Sequence, residues 1–237
     1  LKCLEAGKHV FVEKPLAIQW DALNRIKDYY ENIADEKNIP LLLTGFNRRF
    51  SPFLAKIKDK IQTRNSPMIM NYQINTKSLK EDHWQRSEQG GGRNLGEACH
   101  IYDLFTFLTE SKVKNISALS IRNNNEACGR NENFSATMSF EDGSIGNLTY
   151  TSLGSTAYPK EIFHVFCDQS VYYLNNYKNL DIFGPHEEKY STDGTEKGHL
   201  IELEMYLDCL QGKADWPIPL WQQIQASSIA LDVEELL

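Results

Sequence analysis

Six short segments rich in β-branched and aromatic residues follow one another between residues 113 and 183, and they constrain the fold more than any other feature. The segments cover residues 113–121, 134–140, 145–151, 162–166, 171–174 and 180–183. Turn-forming residues, such as Glu-Asp-Gly-Ser at 141–144, separate them. Short strands at this spacing predict a large, open, mostly antiparallel sheet with helices on one face.

The first 45 residues have a different pattern, in which strand-like and helix-like segments alternate. Residues 9–12 and 41–44 are apolar runs typical of buried strands, and apolar residues recur at helical spacing between Leu23 and Ile33. This order predicts two parallel strands joined by a crossover helix, which is an α/β unit. Two strands are only part of a sheet and the chain starts at Leu1 without a methionine, so we expect a further segment in front.

Composition and charge restrict the classes of function. The chain has 237 residues, of which 41% are hydrophobic and 24% charged, as in a globular protein with one large or two modest domains. The chain has 25 basic and 32 acidic residues, and its basic residues form no cluster in the sequence. Both the negative charge balance and the lack of a basic cluster disfavour nucleic-acid binding. No apolar run approaches the roughly 20 residues that cross a bilayer. We therefore expect a cytoplasmic protein without a membrane or nucleic-acid partner.

The segment 90–103, Gly-Gly-Gly-Arg-Asn-Leu-Gly-Glu-Ala-Cys-His-Ile-Tyr-Asp, concentrates chemically active side chains. Its glycines allow backbone to approach a ligand closely. Glu97, His100 and Asp103 follow at intervals of three, so successive members are neighbours on one side of a predicted amphipathic helix over 96–109. Glu97 and His100 also have the spacing of a di-iron motif, but such sites need a second motif in a helical bundle. No metal site is predicted.

Three motifs stand in order along the chain. They are Glu13-Lys14-Pro15 at a strand end, Gly-Phe-Asn-Arg-Arg-Phe-Ser-Pro at 45–52 after the next strand, and the glycine run leading to His100 and Asp103. Together they resemble the glucose-fructose oxidoreductase and inositol dehydrogenase family, Gfo/Idh/MocA. The resemblance implies an α/β protein in which residues 1–45 are the C-terminal remnant of a Rossmann dinucleotide-binding domain. Residues 46–237 would be the substrate-binding domain, whose open sheet forms homodimers or homotetramers.

The resemblance also implies an activity, namely hydride transfer between NAD or NADP and a hydroxyl or ketone of a sugar, polyol or nucleotide sugar. The G-x-G-x-x-G turn that holds the pyrophosphate is absent from the sequence. We therefore expect this chain alone to hold no dinucleotide and to be inactive. Gly96 and Ala98 stand where the family usually has Asp and Gly. This variant is similar to a branch associated with bacterial surface-polysaccharide biosynthesis.

The resemblance assigns roles to single residues. His100 would be the general base, because loss of a hydroxyl proton needs an acceptor such as imidazole, whose ordinary pKa is about 6.5. Asp103 would orient or support His100, and Lys14 would stabilise the developing alkoxide. The residues expected to contact the cofactor are Glu13, Lys14 and Pro15. Those expected to contact the substrate are Arg49, His83, Trp84, Glu97 and Tyr158.

Two other functions are compatible with the same residues. One is a non-catalytic sugar-binding or assembly module of this fold, which the presence of both Lys14 and His100 disfavours. The other is a lyase or hydrolase that oxidises its substrate only transiently and leaves the redox state of the dinucleotide unchanged. Some of these residues could have a purely structural role instead of a ligand contact. Arg48 and Arg49 would then form a salt bridge to the neighbouring helix, and Trp84 would be a buried residue of the core.

Overall fold

The computed structural model describes residues 1–33, 39–80, 82–87, 89–121 and 130–237. Within these ranges the α-helices are α1 (Lys2–Glu5), α2 (Trp20–Glu31), α3 (Pro52–Ile61), α4 (Cys99–Thr109), α5 (His199–Leu210) and α6 (Leu220–Leu236). The strands are β1 (Val10–Val12), β2 (Leu42–Thr44), β3 (Ile69–Asn75), β4 (Val113–Ser120), β5 (Phe134–Phe140), β6 (Ile145–Thr151), β7 (Glu161–Cys167), β8 (Ser170–Asn175), β9 (Asn179–Phe183) and β10 (Glu188–Ser191).

The N-terminal part contains a small parallel sheet. β1 and β2 pair in parallel with Val10 opposite Leu42, and α2 forms the crossover between them. The apolar side of α2 buries Leu23 and Ile26, which explains why their helical spacing is visible in the sequence. The predicted parallel strand-helix-strand unit is confirmed, whereas its assignment to a Rossmann domain stays a prediction.

The large sheet has eight strands in the order β10-β9-β8-β7-β3-β6-β5-β4. Every neighbouring pair is antiparallel except β3 and β6, which run in parallel. The predicted α/β fold with a mostly antiparallel open sheet is therefore confirmed. The strand β10 was not predicted, because its sequence, Glu-Lys-Tyr-Ser, lacks the β-branched residues that mark the other strands.

One face of this sheet is covered by helix α4. A Cβ atom at Gly146 in β6 would lie only 2.5 Å from the Phe105 ring, so the helix and the sheet are in close contact. The opposite face carries a row of apolar residues across neighbouring strands, in which Ile69 pairs with Phe166 and Val171 with Phe183. Ile69, Phe166 and Phe183 are exposed. Association of copies through this face stays a prediction.

Helix α4 lies between the sheet and helix α6, which corrects the predicted amphipathic helix over 96–109. All residues from Cys99 to Thr106 are buried, because α6 covers the side that faces away from the sheet. A π-helical turn, Asn94–Ala98, precedes α4. The wider turn changes the direction of side chains, and π-helical turns occur frequently at functional sites.

Helix α6 also joins the two sheets. The Gln223 side chain accepts a hydrogen bond from the Thr44 backbone N–H (2.8 Å) and donates one to the Leu42 carbonyl oxygen (2.9 Å). Gln223 is completely buried, so these hydrogen bonds fix β2 at one position relative to α6. In the parts of the chain with described structure, no helix has the length and apolar character needed to cross a bilayer.

Candidate active site

A cavity of about 200 Å³ lies where residues that follow β1 and β2 meet helices α4 and α5. The lining residues are Glu13 and Lys14 after β1; Gly45, Asn47 and Arg48 after β2; His100 on α4; and Lys197, His199 and Glu202 at the start of α5. We call it the Lys14–His100 cavity. It adjoins the carboxyl ends of two parallel strands, the usual ligand position in an open α/β sheet.

Lys14 reaches the cavity from the segment after β1. Its Nζ donates a hydrogen bond of 2.6 Å to the carbonyl oxygen of Gly96, in the π-helical turn before α4. The Lys14–Pro15 peptide bond is cis. Lys14 and His100, which are 86 positions apart in the sequence, thus line one cavity as the motif order predicts. Glu13 lines it too, whereas Pro15 does not contribute to the lining.

His100 is 5% exposed, and its Nδ1 is buried without a hydrogen-bond partner among the described residues. Burial lowers the pKa of His100 well below its usual range, and the positive charges of Arg48 and Lys14 lower it further. The imidazole is therefore neutral near pH 7 and has a nitrogen that can accept a proton. The Phe46 ring packs edge-on against it at a centroid distance of 6.1 Å.

A buried charge cluster forms one wall of the cavity. Glu161 accepts hydrogen bonds from Arg48 Nε (3.0 Å), Lys197 Nζ (2.5 Å) and the Tyr72 hydroxyl (2.6 Å). Burial alone would raise the pKa of Glu161, but Arg48 and Lys197 outweigh it and hold the pKa far below the usual range. The cluster fixes two cations at the cavity while neutralising part of their charge.

Glu161→Gln is expected to weaken the dependence of stability on acid pH. The carboxylate has a lower pKa in the folded than in the unfolded chain, so its contribution is complete above pH 5 and is lost as the pH falls. One such group changes the free energy of unfolding by at most about 1.4 kcal/mol per pH unit. Urea unfolding between pH 3.5 and 7 should show a shallower slope for Glu161→Gln and an unchanged slope for the exposed Glu187→Gln. Parallel slopes in wild type and Glu161→Gln would contradict this assignment.

Asp103 and Arg49 form an ion pair with each other, and the catalytic and substrate-binding roles expected for them stay predictions. Arg49 donates from Nε to Asp103 Oδ2 (3.0 Å), from NH2 to Oδ1 (2.5 Å) and from NH1 to the Gln222 side chain (2.7 Å). Asp103 is completely buried, and Arg49 is 4% exposed. Asp103 therefore pairs with Arg49 instead of orienting His100 through a hydrogen bond, and Arg49 lies outside the cavity lining.

Glu97 also lies outside the cavity. Its carboxylate accepts hydrogen bonds from Arg93 (2.9 Å), Tyr150 (2.6 Å) and Lys160 (2.6 Å). Burial would raise its pKa, but Lys160 and the hydrogen bonds outweigh burial and lower the pKa of Glu97. The Glu97 carboxylate is thus hydrogen-bonded to other residues of the protein. Glu97 lies in the π-helical turn, whereas His100 lies in α4. The substrate contact expected for Glu97 stays a prediction.

Three further residues expected at the substrate site lie elsewhere. His83 and Trp84 stack on each other in the loop before the glycine run, and Trp84 is 65% exposed, so it is neither a core anchor nor part of this cavity. Tyr158 lines a shallow apolar depression on the open face of the large sheet. The glycine run itself serves the fold, since a Cβ at Gly90 would lie 2.3 Å from the Trp84 carbonyl oxygen.

A second and larger cavity, of about 790 Å³, adjoins the glycine run. Its two acidic lining residues already have partners, since Glu132 pairs with Arg86 (2.6 Å) and Glu234 accepts hydrogen bonds from Asn94 and Asn131. Lysine and histidine are absent from its described lining. The groups needed for proton transfer to or from a hydroxyl are therefore in the smaller Lys14–His100 cavity.

Sequence reasoning missed the contribution of helix α5 to this cavity. His199 was assigned no role, and Lys197 and Glu202 were not considered. Glu202 is one of three acidic residues in α5, and the sequence of the helix does not distinguish it from Glu204 or Asp208. Arg48, for which a salt bridge to the neighbouring helix is the structural alternative, pairs instead with Glu161 in strand β7 and lines the cavity.

Comparison with known proteins agrees with these observations. Residues 67–172 match the family model of the GFO/IDH/MocA C-terminal domain. Over 154 residues, 62% of this chain and 37% of its relative, the chain is 27% identical to a 1-carboxy-3-chloro-3,4-dihydroxycyclohexa-1,5-diene dehydrogenase of Comamonas testosteroni. Over 120 residues, 50% of this chain and 34% of its relative, it is 27% identical to the myo-inositol 2-dehydrogenase of Thermotoga maritima. The matches thus span about a third of the curated relatives' length.

The fold has close counterparts among solved structures. A levoglucosan dehydrogenase in complex with NADH and levoglucosan superposes with a TM-score of 0.82 at 15% sequence identity. The superposition covers 98% of this chain and 72% of that chain. At this level of identity the similarity establishes the fold and leaves the ligand of this chain to be argued from its own residues.

Proposed function

Because the chain belongs to the Gfo/Idh/MocA family, we propose that it supplies the substrate side of an NAD(P)-dependent oxidoreductase. The reaction interconverts a hydroxyl and a ketone of a sugar, polyol or nucleotide sugar. One observation carries the proposal: Lys14 and His100 line the same cavity, and the imidazole Nδ1 has no partner in the described chain. A cation and a neutral base in one small cavity are the groups that such a reaction requires.

In this cavity His100 takes the proton of the reacting hydroxyl. The neutral imidazole accepts that proton on a free nitrogen, and the carbon that bears the hydroxyl gives up a hydride, so that a ketone remains. Lys14 stabilises the negative charge that develops on the oxygen, because its ammonium group is fixed by the Gly96 carbonyl at 2.6 Å. In the opposite direction His100 returns the proton to the ketone oxygen as the hydride arrives.

The residues after β1 fit the reactive end of a dinucleotide. Glu13, Lys14 and Pro15 follow a parallel strand, and the adjoining cavity contains an imidazole nitrogen that no described residue satisfies. When bound, NAD or NADP supplies the hydride acceptor. The 237-residue sequence contains no G-x-G-x-x-G turn for the pyrophosphate. We therefore assign these residues to the nicotinamide end alone.

The experiment is an assay of NAD⁺ and NADP⁺ reduction by the intact gene product with myo-inositol, levoglucosan and UDP-N-acetylglucosamine. We expect reduction with at least one of them, and a loss of about 10²-fold in kcat/KM for Lys14→Met, because the cation at the developing alkoxide is removed. Lys213→Met, an exposed substitution outside the cavity, is the matched control and should retain full activity.

The outcomes separate the candidate functions. Absence of both reduction and NADH binding in the intact gene product would overturn the oxidoreductase and favour a sugar-binding module. A substrate that is cleaved without net reduction of the dinucleotide would identify the lyase or hydrolase. As a second control, the 237-residue chain alone is expected to show no saturable change in NADH fluorescence.

A further inference from the structure

Helix α5 places a carboxyl group in the Lys14–His100 cavity by close backbone contact. The helix begins after Gly198, whose φ of 84° is left-handed and whose Cβ, if present, would lie 2.5 Å from the Phe50 carbonyl carbon. Asn47 donates a side-chain hydrogen bond of 2.8 Å to the Lys197 carbonyl oxygen at the same contact. The first turn of α5 is therefore fixed against the turn after β2, and Glu202 in this helix lines the cavity.

Glu202 is buried in a way that the fold itself does not explain. The residue is 4% exposed, and its Oε1 has no hydrogen-bond partner among the residues with described positions. The unpartnered Nδ1 of His100 belongs to the same cavity lining. Buried polar atoms in native proteins are normally hydrogen-bonded, so two orphan atoms in one cavity indicate a polar ligand that both contact.

We propose that Glu202 is a ligand-contacting residue that hydrogen-bonds a hydroxyl group of the sugar or polyol. The inference rests on the proposed function and adds a residue to its substrate site. The cavity volume of about 200 Å³ equals the share of roughly six to seven water molecules at ~30 Å³ each, which leaves room for one small polar molecule.

The charges around Glu202 support this assignment. Burial and the negative charges of Glu13 and Asp103 raise its pKa to about 8, although Arg49 acts in the opposite direction. The other charged or titratable groups that line the cavity are Lys14, Arg48, His100, Lys197 and His199. Arg48 and Lys197 are hydrogen-bonded to Glu161, and Lys14 is hydrogen-bonded to the Gly96 carbonyl oxygen.

A protonated carboxyl group matches the chemistry of a hydroxyl. At neutral pH the acid form of Glu202 has one O–H donor and further acceptor capacity, and a hydroxyl can satisfy both.

The test measures binding and stability of the same variants. Glu202→Gln imitates the protonated carboxyl, Glu202→Leu removes its polar atoms, and Glu204→Leu, on the exposed side of α5, is the matched control. With NADH-saturated intact gene product, calorimetry with myo-inositol should give a Kd within about threefold of wild type for Glu202→Gln and at least about tenfold weaker for Glu202→Leu.

A stability readout separates ligand contact from a structural role. If Glu202 serves a ligand, Glu202→Leu removes a buried unpartnered group and raises the midpoint of thermal unfolding of the ligand-free chain while binding is lost. The stability of wild type should also fall between pH 5 and pH 8, because the folded chain retains a proton that the unfolded chain releases, and Glu202→Gln should lack this fall.

Different results would contradict the ligand contact of Glu202 and the oxidoreductase function. Polyol-dependent reduction of NAD(P)⁺ with equal affinity in wild type and Glu202→Leu would overturn the role of Glu202 and keep the oxidoreductase. Polyol binding that depends on Glu202, without any reduction, would keep the contact and overturn the oxidoreductase.

Discussion

His100→Ala is expected to lower the turnover of the intact gene product by about 10²–10⁴-fold, the usual contribution of a positioned general base. The reason is geometric, since His100 lines the cavity together with Lys14 and its Nδ1 has no partner among the described residues. Alanine leaves the backbone of α4 unchanged, so cofactor affinity should stay close to that of wild type. The measurement is kcat for reduction of NAD⁺ or NADP⁺ with the best polyol substrate.

The pH dependence of the same assay gives an independent check. Burial, Arg48 and Lys14 lower the pKa of His100, so the acid limb of the rate profile should lie below pH 6.5, the ordinary value of a histidine. His186→Ala, at an exposed position outside the cavity, is the control and should leave the profile unchanged. Turnover of His100→Ala within tenfold of wild type would exclude His100 as the base.

Asp103→Ala is expected to destabilise the fold by about 3–5 kcal/mol, because it leaves the buried charge of Arg49 without its partner. Both side chains are almost completely removed from solvent, and two hydrogen bonds join them. Urea unfolding at pH 7 measures the loss. A change below about 1 kcal/mol would show that the ion pair does not hold α4 against the turn after β2.

Double substitution separates the ion pair from the packing around it. Arg49→Met combined with Asp103→Leu removes both charges while keeping apolar volume, so it should be more stable than Asp103→Ala alone. The exposed pair of Lys213 and Asp208, at 3.9 Å, is the control, and Lys213→Met should change stability little. Such a result would explain why Asp103 stands one helical turn after His100 without bonding to it.

Local patterns in the sequence predict several strands of the large sheet because these strands alternate buried and exposed side chains. The segments 134–140 and 145–151 coincide with β5 and β6, whose alternating burial leaves a clear period of two. The pairing of β3 with both β6 and β7 could not be derived in this way. Pairing between distant strands depends on the whole chain, whereas the sequence pattern reports only which residues alternate.

The candidate site was predictable in its motif residues and not in the rest. Lys14 and His100 belong to motifs whose order along the chain indicates a common site, and in the structure both residues line one cavity. A regular helix over 96–109 would place Glu97, His100 and Asp103 on one side of the helix. In the structure Glu97 lies in the π-helical turn, Asp103 pairs with Arg49, and α6 covers α4, so the three side chains do not form one polar face. Glu202 reaches the cavity only through the contact of α5 with a segment some 150 residues earlier.

The position of β3 inside the large sheet has a consequence for the order in which the sheet can be completed. The strands β4 to β6 and β7 to β10 are two runs in which each strand pairs with its neighbour in sequence. β3 joins these runs by pairing with β6 and β7, with Asn71 bonded to Asn147, 76 positions further along the chain. As the ribosome makes the protein, β3 is the first of the eight strands to emerge and cannot be paired on both edges until β7 exists. The core residues Met70, Tyr72 and Ile74 of β3 are therefore synthesised well before the strand that completes their packing.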